Sequence, residues 1–510
     1  MAEFNWKKLQ NGTDIRGVAL EGVKNEIVDL TPAITQRLGA CFAAWLMEKY
    51  PNTSRLRVAV GMDSRLSGPS LATALTEGLT NAGIDVFQVG LASTPAMFMS
   101  TVMDSEPMHG AVMLTASHLP FNRNGMKFFT QSGGLDKTDI SAILKKAEGQ
   151  DSFLSKNKGT IKPLSFMEVY ASHFVEMVRK QVNSSDDYQY PLKRLKIVVD
   201  AGNGAGGFFA TNVLEPLGAD ISDSQFLEPN GHFPNHVPNP EDATAMASIV
   251  RKVKESEADL GVIFDTDVDR MALVAADGDP INRNALIALI SAVILEEHPG
   301  TTIVTDSITS NGLTWFINNH LKGHHHRYKR GYKNVINEAI RLNNEDEPCW
   351  LAIETSGHAA LKENYFLDDG AYLATKLIIT MARLKQQGKC LNSLIEALPA
   401  PVESCELRIP VKTTDFKEYG QQVIIDLGLL AGSKSGWEIA HDNYEGVRIN
   451  SSLPHQKGWL LLRLSLHDPV LPLNIESEVE NGVTEIARSL HLFFKKYEKL
   501  DLSAFEALEL

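Results

Sequence analysis

Residues 260–270 read LGVIFDTDVDR, a short apolar run that ends directly against three alternating carboxylates. A run of four to eight apolar residues bounded by polar ones is typical of a strand buried on both faces. The carboxylates follow the point at which this strand ends. Ligands of open α/β sheets bind at the carboxyl ends of the strands, so the stretch predicts a largely parallel sheet with a site at its edge.

The same arrangement recurs along the chain, in which a buried strand is followed by polar or glycine-rich residues and then by an amphipathic stretch. Four further runs predict such strands: RVAVG at 57–61, GAVML at 110–114, LKIVVD at 195–200 and TIVT at 302–305. Strands that alternate with helical patterns are typical of α/β domains. The sequence therefore predicts an α/β protein.

The 510 residues exceed what one hydrophobic core accommodates, and about three to five domains are expected at this length. Boundaries are predicted at the polar stretch 183–191, near residues 298–300, and at LPAP, residues 398–401, after which polar and apolar residues alternate. The predicted domains are α/β at 1–190, 191–299 and 300–403, and a smaller α+β domain at 404–510.

The composition excludes several classes of function. A formal net charge of −14 argues against nonspecific nucleic-acid binding, and no apolar run approaches the ~18 residues of a membrane span. The first residues contain no apolar stretch of signal-peptide length, so a cytoplasmic protein is predicted. Four scattered cysteines indicate neither zinc nor disulfides and are predicted to be buried apolar side chains, whereas three adjacent histidines, residues 324–326, are predicted to form an exposed loop.

The three carboxylates Asp265, Asp267 and Asp269 predict a magnesium site, because oxygen ligands without His or Cys favour Mg²⁺ over zinc. An EF-hand is excluded, since its sixth and twelfth positions would hold Arg270 and Ala276. A solvated acidic turn is the remaining alternative. Three carboxylates within five residues repel one another unless a cation compensates them, which favours the metal site.

Three further stretches carry side chains suited to sugar phosphates, and each is a weak signal alone. TASHLPFNRNGMK, residues 115–127, holds a hydroxyl nucleophile beside a histidine and ahead of a lysine. ETSGH, residues 354–358, offers a carboxylate, two hydroxyls and an imidazole. RLSLHDP, residues 463–469, can hold a phosphate through its arginine, its serine and loop N–H groups.

Together the four stretches resemble, over essentially the whole chain, the α-D-phosphohexomutase superfamily, which includes phosphoglucomutases, phosphomannomutases and phosphoglucosamine mutases. The motifs of that superfamily are T-A-S-H-N-P, D-x-D-x-D-R, G-E-x-S-G-H and R-x-S-G/N-T-E-P, in this order. Five shorter runs also resemble its pattern: NGTDIRG at 11–17, GMDSRLSG at 61–68, DAGNGAG at 200–206, GYK at 331–333 (for V-G-x-K) and DG at 369–370.

The resemblance implies four domains around a central cleft and a Mg²⁺-dependent phosphohexomutase that interconverts hexose 1-phosphate and hexose 6-phosphate through a hexose 1,6-bisphosphate. It makes Ser117 the phosphoserine and a metal ligand beside the three aspartates. Arg16, His118 and Lys127 would surround the reacting centre, with Lys127 preferred for acid/base work. The substrate-binding residues implied are Arg270, Lys333, Glu354, Ser356, His358, Arg463, Ser465 and His467. Hexose phosphates are the implied partners.

The chain departs from the superfamily pattern chiefly in the last motif, where Leu466, His467 and Asp468 replace G/N-T-E. A protonated His467 would compensate in part. A weakened phosphate grip favours an alternative function, a glucose 1,6-bisphosphate synthase that releases the bisphosphate as product and uses fructose 1,6-bisphosphate or another sugar bisphosphate as donor. In a mutase the bisphosphate is instead the activator. A noncatalytic sugar-phosphate sensor is the alternative of another class.

Overall fold

Four β-sheets form the framework of the computed structural model, which describes residues 4–103, 107–149, 153–465 and 468–508. The chain divides into two units. Unit 1 comprises Met1–Ile281, Ser356–Ala359 and Leu367–Cys390, and unit 2 comprises the rest, Asn282–Thr355, Ala360–Phe366 and Leu391–Leu510. Within the described residues, no helix combines the length and the apolar character that crossing a membrane requires.

The first sheet of unit 1 has eight strands, β1 to β8: Gln10–Asn11, Asp14–Val18, Arg57–Met62, Asp85–Leu91, Gly110–Leu114, Arg123–Thr130, Gly133–Gly134 and Ile161–Pro163. Their order is β1-β2-β6-β5-β3-β4-β8, with β7 paired to β6. β3 runs parallel to β4 and β5, whereas β6 is antiparallel to β5 and β2. Every residue of β5 is buried, as expected for a strand with covered faces.

Five helices accompany this sheet, α1 to α5: Pro32–Lys49, Gly68–Asn81, Thr94–Met99, Lys137–Glu148 and Phe166–Val182. Local signals fix where they begin. The Thr31 side chain accepts the N–H of Ile34 at the start of α1, and α4 begins with a capping box at Asp136. The apolar faces of α1, α2 and α4 pack with the sheet in one core that includes Phe42, Val112 and Phe128.

The second sheet of unit 1 has four strands, β9 to β12: Ile197–Asp200, Leu260–Phe264, Met271–Ala275 and Pro280–Ile281. The order is β12-β11-β10-β9, with β10 parallel to β9 and antiparallel to β11. Helix α6, Ala243–Ser256, begins at Asp242, whose carboxylate accepts two backbone N–H groups.

Unit 2 contains a third sheet in which β13, Thr302–Thr305, runs parallel to β14, His324–Arg327, and to β15, Cys349–Ile353. The short strands that follow are β16, Ala359–Leu361, and β17, Leu367–Asp368. The helices of this region are α7 to α10: Arg283–Glu297, Asn311–Trp315, Tyr332–Asn344 and Gly370–Gln386. Of these elements, α10, β17 and the first residue of β16, Ala359, belong to unit 1.

The fourth sheet is antiparallel and lies in unit 2. Its strands are β18 to β22: Glu403–Pro410, Trp437–Ile439, Val447–Ser451, Gly458–Leu462 and Val470–Ser477. They pair in the order β18-β22-β21-β20-β19. Helices α11, Phe416–Ser433, and α12, Gly482–Phe494, share a core with the inward side chains of the sheet. The alternating pattern after residue 401 reflects this antiparallel sheet.

The predicted α/β class with a fourth, smaller sheet domain is confirmed, and the five predicted strands appear as β3, β5, β9, β10 and β13. Two predictions are wrong. Residues 324–326 form strand β14, in which the ring nitrogens of His325 bond the hydroxyls of Thr305 and Thr314. Cys390 is exposed and Cys405 is partly exposed, whereas Cys41 and Cys349 are buried as predicted. The four domain ranges stay predictions.

Candidate active site

Ser117 lies in the loop after β5, which we call the serine loop, residues 115–123. It is buried and has a φ of 50°, a left-handed conformation that costs a non-glycine residue about 1–2 kcal/mol. Its N–H donates to the Thr115 hydroxyl at 2.9 Å. The strained backbone directs the Ser117 hydroxyl toward polar groups. This left-handed conformation is maintained because the surrounding contacts fix the conformation of the loop.

Arg65 supplies those contacts. Its guanidinium donates to the backbone carbonyls of Leu119 at 2.7 Å, Pro120 at 2.8 Å and Arg123 at 2.9 Å, and to the carbonyl of Ser117. The Arg65 side chain is almost fully buried. One buried cation therefore holds both ends of the serine loop through charge-assisted hydrogen bonds.

Asp63 and Phe233 in turn hold Arg65. Asp63 Oδ2 lies 3.3 Å from Arg65 Nε, and the Phe233 ring centroid lies 5.4 Å from the guanidinium carbon. Burial lowers the pKa of Arg65 and raises the pKa of Asp63 to about 6, while the charge of Arg65 opposes the rise. The pair is thus a buried ion pair whose two members depend on each other.

The three aspartates predicted as metal ligands converge in unit 1. Asp265, Asp267 and Asp269 are buried, and one carboxylate oxygen of each lies within 4.8 Å of the others. Among the described residues, Asp267 Oδ1 and Asp269 Oδ1 are buried without a hydrogen-bond partner. Ser117 Oγ donates to Asp265 Oδ2 at 3.1 Å. Oxygen ligands with orphaned atoms beside a serine hydroxyl fit Mg²⁺.

The charge of the aspartates is only partly balanced by the chain. Burial and the neighbouring carboxylates of Asp269 and Asp267 raise the pKa of Asp265 well above its usual range. Burial acts in the same direction on Asp269, but Lys127, His358 and Arg270 outweigh it, so the pKa of Asp269 is lowered. A divalent cation would stabilise all three carboxylates in the ionised form.

Backbone contacts fix the metal loop, residues 265–270. Thr94 donates its N–H to the carbonyl of Asp267 at 2.8 Å and its hydroxyl to Oδ2 of the same residue at 2.5 Å. The N–H of Gly370 donates to the carbonyl of Val268 at 3.0 Å. A Cβ at Gly370 would lie 2.8 Å from the carbonyl oxygen of Arg270, so no larger residue fits without movement of the loop.

Two cations of the predicted site contact the aspartates directly. Lys127 Nζ lies 3.0 Å from Asp267 Oδ2 and 2.5 Å from Asp269 Oδ2. Arg270 Nε lies 3.3 Å from Asp265 Oδ2, and its Nη2 donates to His118 Nδ1 at 2.7 Å.

The predicted residues His118 and Arg16 lie beside the nucleophile. His118 Nδ1 is 3.2 Å from Ser117 Oγ, and burial, followed by the charges of Arg270 and Arg16, lowers the pKa of His118 to about 3. Arg16 donates to the carbonyl of Ala116 at 3.4 Å.

Ser356 and His358 also belong to unit 1. The Ser356 hydroxyl lies 3.0 Å from His358 Nδ1, and His358 Nε2 lies 3.6 Å from Asp269 Oδ1. Burial lowers the pKa of His358 to about 3. The structure thus brings ten of the predicted residues together in unit 1: Arg16, Ser117, His118, Lys127, Asp265, Asp267, Asp269, Arg270, Ser356 and His358.

Unit 2 holds the remaining predicted residues that are described. Glu354 accepts the N–H of Gly331 at 2.6 Å, directly before helix α9, whose second residue is Lys333. Arg463 follows β21, and its Nε is buried without a hydrogen bond among the described residues. The Ser465 hydroxyl accepts the N–H of Asp468 at 3.3 Å. His467 lies outside the described residues.

Sequence reasoning assigned no role to Arg65, Asp63 or Thr94. A signal for the first two was present, since both belong to the run GMDSRLSG at residues 61–68. Nothing in the sequence indicated that Thr94 would bond Asp267, because these residues are 173 positions apart. Chemically, the centre in unit 1 combines a hydroxyl nucleophile, a set of metal ligands and several cations, which is what phosphoryl transfer requires.

Comparison with known proteins points to one family. Three family models match the chain, described as phosphoglucomutase/phosphomannomutase alpha/beta/alpha domain I at residues 7–153, domain II at 169–278 and domain III at 282–402. Together they span well over half of the sequence.

Relatives of full length give the same result. A phosphomannomutase/phosphoglucomutase of Pseudomonas syringae pv. tomato is 32% identical over 473 residues, which cover 92% of this chain and 94% of the relative. A phosphoglucomutase of Neisseria gonorrhoeae is 30% identical over 476 residues, with coverages of 93% and 94%. The crystal structure of a phosphoglucomutase/phosphomannomutase family protein from Burkholderia thailandensis has a TM-score of 0.76 at 26% identity, covering 95% of this chain and 96% of its own.

Proposed function

Because the chain belongs to the phosphoglucomutase/phosphomannomutase family, we propose that it interconverts hexose 1-phosphates and hexose 6-phosphates through a phosphorylated Ser117. One observation carries the proposal. Ser117 Oγ lies 3.1 Å from Asp265, one of three buried carboxylates that fit a metal ion. A nucleophile next to a metal site is the arrangement that phosphoryl transfer needs.

Asp265, Asp267 and Asp269, together with an oxygen of the serine phosphate, would hold Mg²⁺. The bound cation would neutralise charge that develops on the transferring phosphoryl group. The chain itself contributes Arg270, whose position beside the same carboxylates leaves its charge near the reacting phosphate. His118, with a lowered pKa, is neutral near pH 7, whereas the Arg270 cation donates from Nη2 to the Ser117 hydroxyl at 3.5 Å.

In the proposed transfer, a sugar hydroxyl attacks the phosphorus of phosphoserine 117. A new oxygen–phosphorus bond forms to the sugar while the bond between phosphorus and Ser117 Oγ breaks. The proton lost by the sugar hydroxyl passes to Lys127 in its neutral amine form. Lys127 then delivers it to Ser117 Oγ as the bond to phosphorus breaks, so protons and charges balance. The second half of the reaction reverses these steps with the other phosphate of the bisphosphate, after it has turned over.

Substrate binding is proposed to involve Glu354, Ser356 and His358 for sugar hydroxyls, and Arg463, Ser465 and Lys333 for the nonreacting phosphate. Buried carboxylate, hydroxyl and imidazole groups discriminate strongly between substrates that do and do not pair with them. The names of the relatives include both glucose and mannose enzymes, so both hexoses are proposed as substrates. We further propose that the reaction takes place in the cytoplasm.

A second candidate is synthesis and release of glucose 1,6-bisphosphate. One feature of the sequence favours it: Leu466 and His467 stand where the motif R-x-S-G/N-T-E-P has G/N and T. A leucine side chain offers no hydrogen bond to a phosphate dianion, so the phosphate loop, residues 463–469, loses a polar contributor.

Phosphorus NMR distinguishes the candidates. The purified protein is incubated with Mg²⁺ and glucose 1-phosphate, once with catalytic glucose 1,6-bisphosphate and once with excess fructose 1,6-bisphosphate. Conversion to glucose 6-phosphate in the first sample is the expected result. Accumulation of glucose 1,6-bisphosphate in the second sample with little conversion in the first identifies a synthase. Binding of glucose 1-phosphate without any turnover or labelling of Ser117 identifies a sensor and overturns both enzymatic functions.

A further inference from the structure

We propose that Arg330 binds the nonreacting phosphate of the substrate together with Arg463, as a cation that the superfamily pattern does not contain. The inference rests on the proposed function, because it names a further determinant of the same phosphate site. The sequence provides the first observation. The V-G-x-K motif of the pattern reads Arg330-Gly331-Tyr332-Lys333 here, so an arginine stands where the pattern has valine.

The position of Arg330 in the fold is the second observation. It directly precedes Gly331, the N-cap of the 13-residue helix α9, and glycine has no side chain to cap the helix. The N–H of Gly331 bonds Glu354, the carboxylate proposed to bind a sugar hydroxyl. A helix N-terminus favours anions, and a cation placed beside it strengthens that preference.

Two carboxylates contact Arg330. Its N–H donates to Glu445 Oε2 at 3.2 Å, and its Nε lies 3.9 Å from Asp306 Oδ2. Glu445 also accepts the hydroxyl of Ser307 at 2.5 Å, and the fully buried Asp306 accepts the hydroxyl of Thr355 at 2.8 Å. Because both carboxylates have further partners, they are fixed in place. Glu445 holds the backbone of Arg330, while the long ion pair to Asp306 leaves the guanidinium able to reach a ligand.

Arg463 is near the same groups. Burial lowers its pKa, the charge of Arg330 lowers it further, and Glu445, Glu406 and Asp306 act in the opposite direction. The geometry places both arginines at one segment: Glu445 accepts the N–H of Arg330, and a Cβ added at the next residue, Gly446, would lie 3.0 Å from Arg463 Cβ. Their like charges therefore repel each other. Arg463 Nε is buried and lacks a hydrogen-bond partner among the described residues, and the Arg330 side chain is 26% exposed, which leaves it within reach of a ligand.

A bound phosphate dianion would stabilise the two neighbouring guanidinium groups. It would offset the repulsion between the guanidinium groups and accept hydrogen bonds from both, whereas a neutral ligand would do neither. In the phosphate loop, Leu466, His467 and Asp468 stand in place of G/N-T-E, which weakens its binding of phosphate. Arg330 replaces the lost binding. A restored grip retains the bisphosphate, which favours the mutase over the synthase.

Binding measurements test the proposal without relying on turnover. Affinities for glucose 6-phosphate and inorganic phosphate are measured by calorimetry in full-length protein with Ser117→Ala. Adding Arg330→Val, which restores the pattern residue, should weaken glucose 6-phosphate binding about tenfold or more, the loss of a hydrogen bond to a charged group. Arg330→Lys should recover part of the affinity. Lys329→Ala removes a neighbouring exposed charge and should change it less than about twofold.

Unchanged affinity in the Arg330→Val protein, with a melting temperature equal to that of the parent, would overturn the proposal. An equal loss in Lys329→Ala would do so too, because it would reduce the effect to general charge. In the Ser117-containing protein, Arg330→Val should also release more glucose 1,6-bisphosphate per turnover. If the parent proves to have no mutase activity, the proposed function fails, while the binding comparison still decides the role of Arg330.

Discussion

The guanidinium of Arg65 bonds the backbone carbonyl of Ser117, so the buried cation holds the nucleophile's own peptide group. The bonds to Leu119, Pro120 and Arg123 extend this support along the serine loop. The left-handed conformation of Ser117 therefore depends on a side chain that lies 52 residues earlier in the chain.

Arg65→Gln should lower kcat by about 10- to 100-fold, because several charge-assisted hydrogen bonds to the serine loop are lost. The KM for glucose 1-phosphate should change little, since Arg65 is not proposed to bind substrate. Steady-state kinetics and the rate of Ser117 phosphorylation check this. Arg65→Lys should restore part of kcat.

A control is needed because Arg65→Gln leaves Asp63 buried without its partner, at a cost of about 3–5 kcal/mol in the free energy of unfolding. Asp63→Asn combined with Arg65→Gln should recover stability in thermal melts but not kcat. If kcat returns together with stability, Arg65 contributes only to folding.

Ser117→Ala should abolish incorporation of phosphate from labelled glucose 1,6-bisphosphate and lower the mutase rate more than about 10³-fold. The physical reason is the loss of the only atom proposed to carry the phosphoryl group. Mass spectrometry of the labelled protein checks the site. The variant Ser132→Ala, at an exposed serine outside the site, is the control and should keep full activity. Label that persists on Ser117→Ala would mean that another residue is the nucleophile.

Mg²⁺ should raise the melting temperature of the protein, and at a concentration 100 times its Kd the stabilisation should be about 2.7 kcal/mol. Asp267→Asn removes one ligand and should weaken Mg²⁺ binding, while in EDTA the variant should be at least as stable as the parent because repulsion within the aspartates falls. Differential scanning calorimetry with and without EDTA checks both effects. A Mg²⁺-dependent shift of equal size in parent and variant would contradict the assignment of these ligands.

Gly370→Ala should destabilise the protein by about 1–3 kcal/mol and weaken Mg²⁺ binding, because the added Cβ displaces the metal loop. Gly432→Ala is the matched control. A Cβ at Gly432, within helix α11, has no atom within 4 Å, so this change should be neutral or slightly stabilising. Thermal melts and Mg²⁺ titrations compare the two variants, and equal Mg²⁺ affinities would show that Gly370 does not support the loop.

Strand positions and the convergence of the three aspartates were predictable from the sequence because both depend on local patterns. Apolar runs such as 260–264 and 110–114 form strands at the predicted residues, and the polar groups that follow them meet at the sheet edges. The carboxylates of the metal loop converge as their spacing indicated.

Long-range hydrogen bonds and backbone strain were not predictable. Arg65 reaches the serine loop across more than 50 residues, and no local pattern encodes the left-handed φ of Ser117 or of Val268. A loop was predicted at the histidines of β14 because a polar run normally indicates a loop. The prediction is wrong because His325 bonds two threonine hydroxyls within unit 2. In each case the determining partner is distant in sequence.

Unit 1 is interrupted in the chain, and this has a consequence for how the protein is made. Its last segment, Leu367–Cys390, includes helix α10 and is separated from Ile281 by most of the third sheet. During synthesis on a ribosome, the metal loop therefore emerges about 100 residues before Gly370, whose N–H supports Val268. At a synthesis rate of about 5–20 residues per second, several seconds pass between the synthesis of the carboxylates and that of Gly370. The first unit to begin folding therefore cannot be completed until the two earlier segments of the second, Asn282–Thr355 and Ala360–Phe366, have been translated.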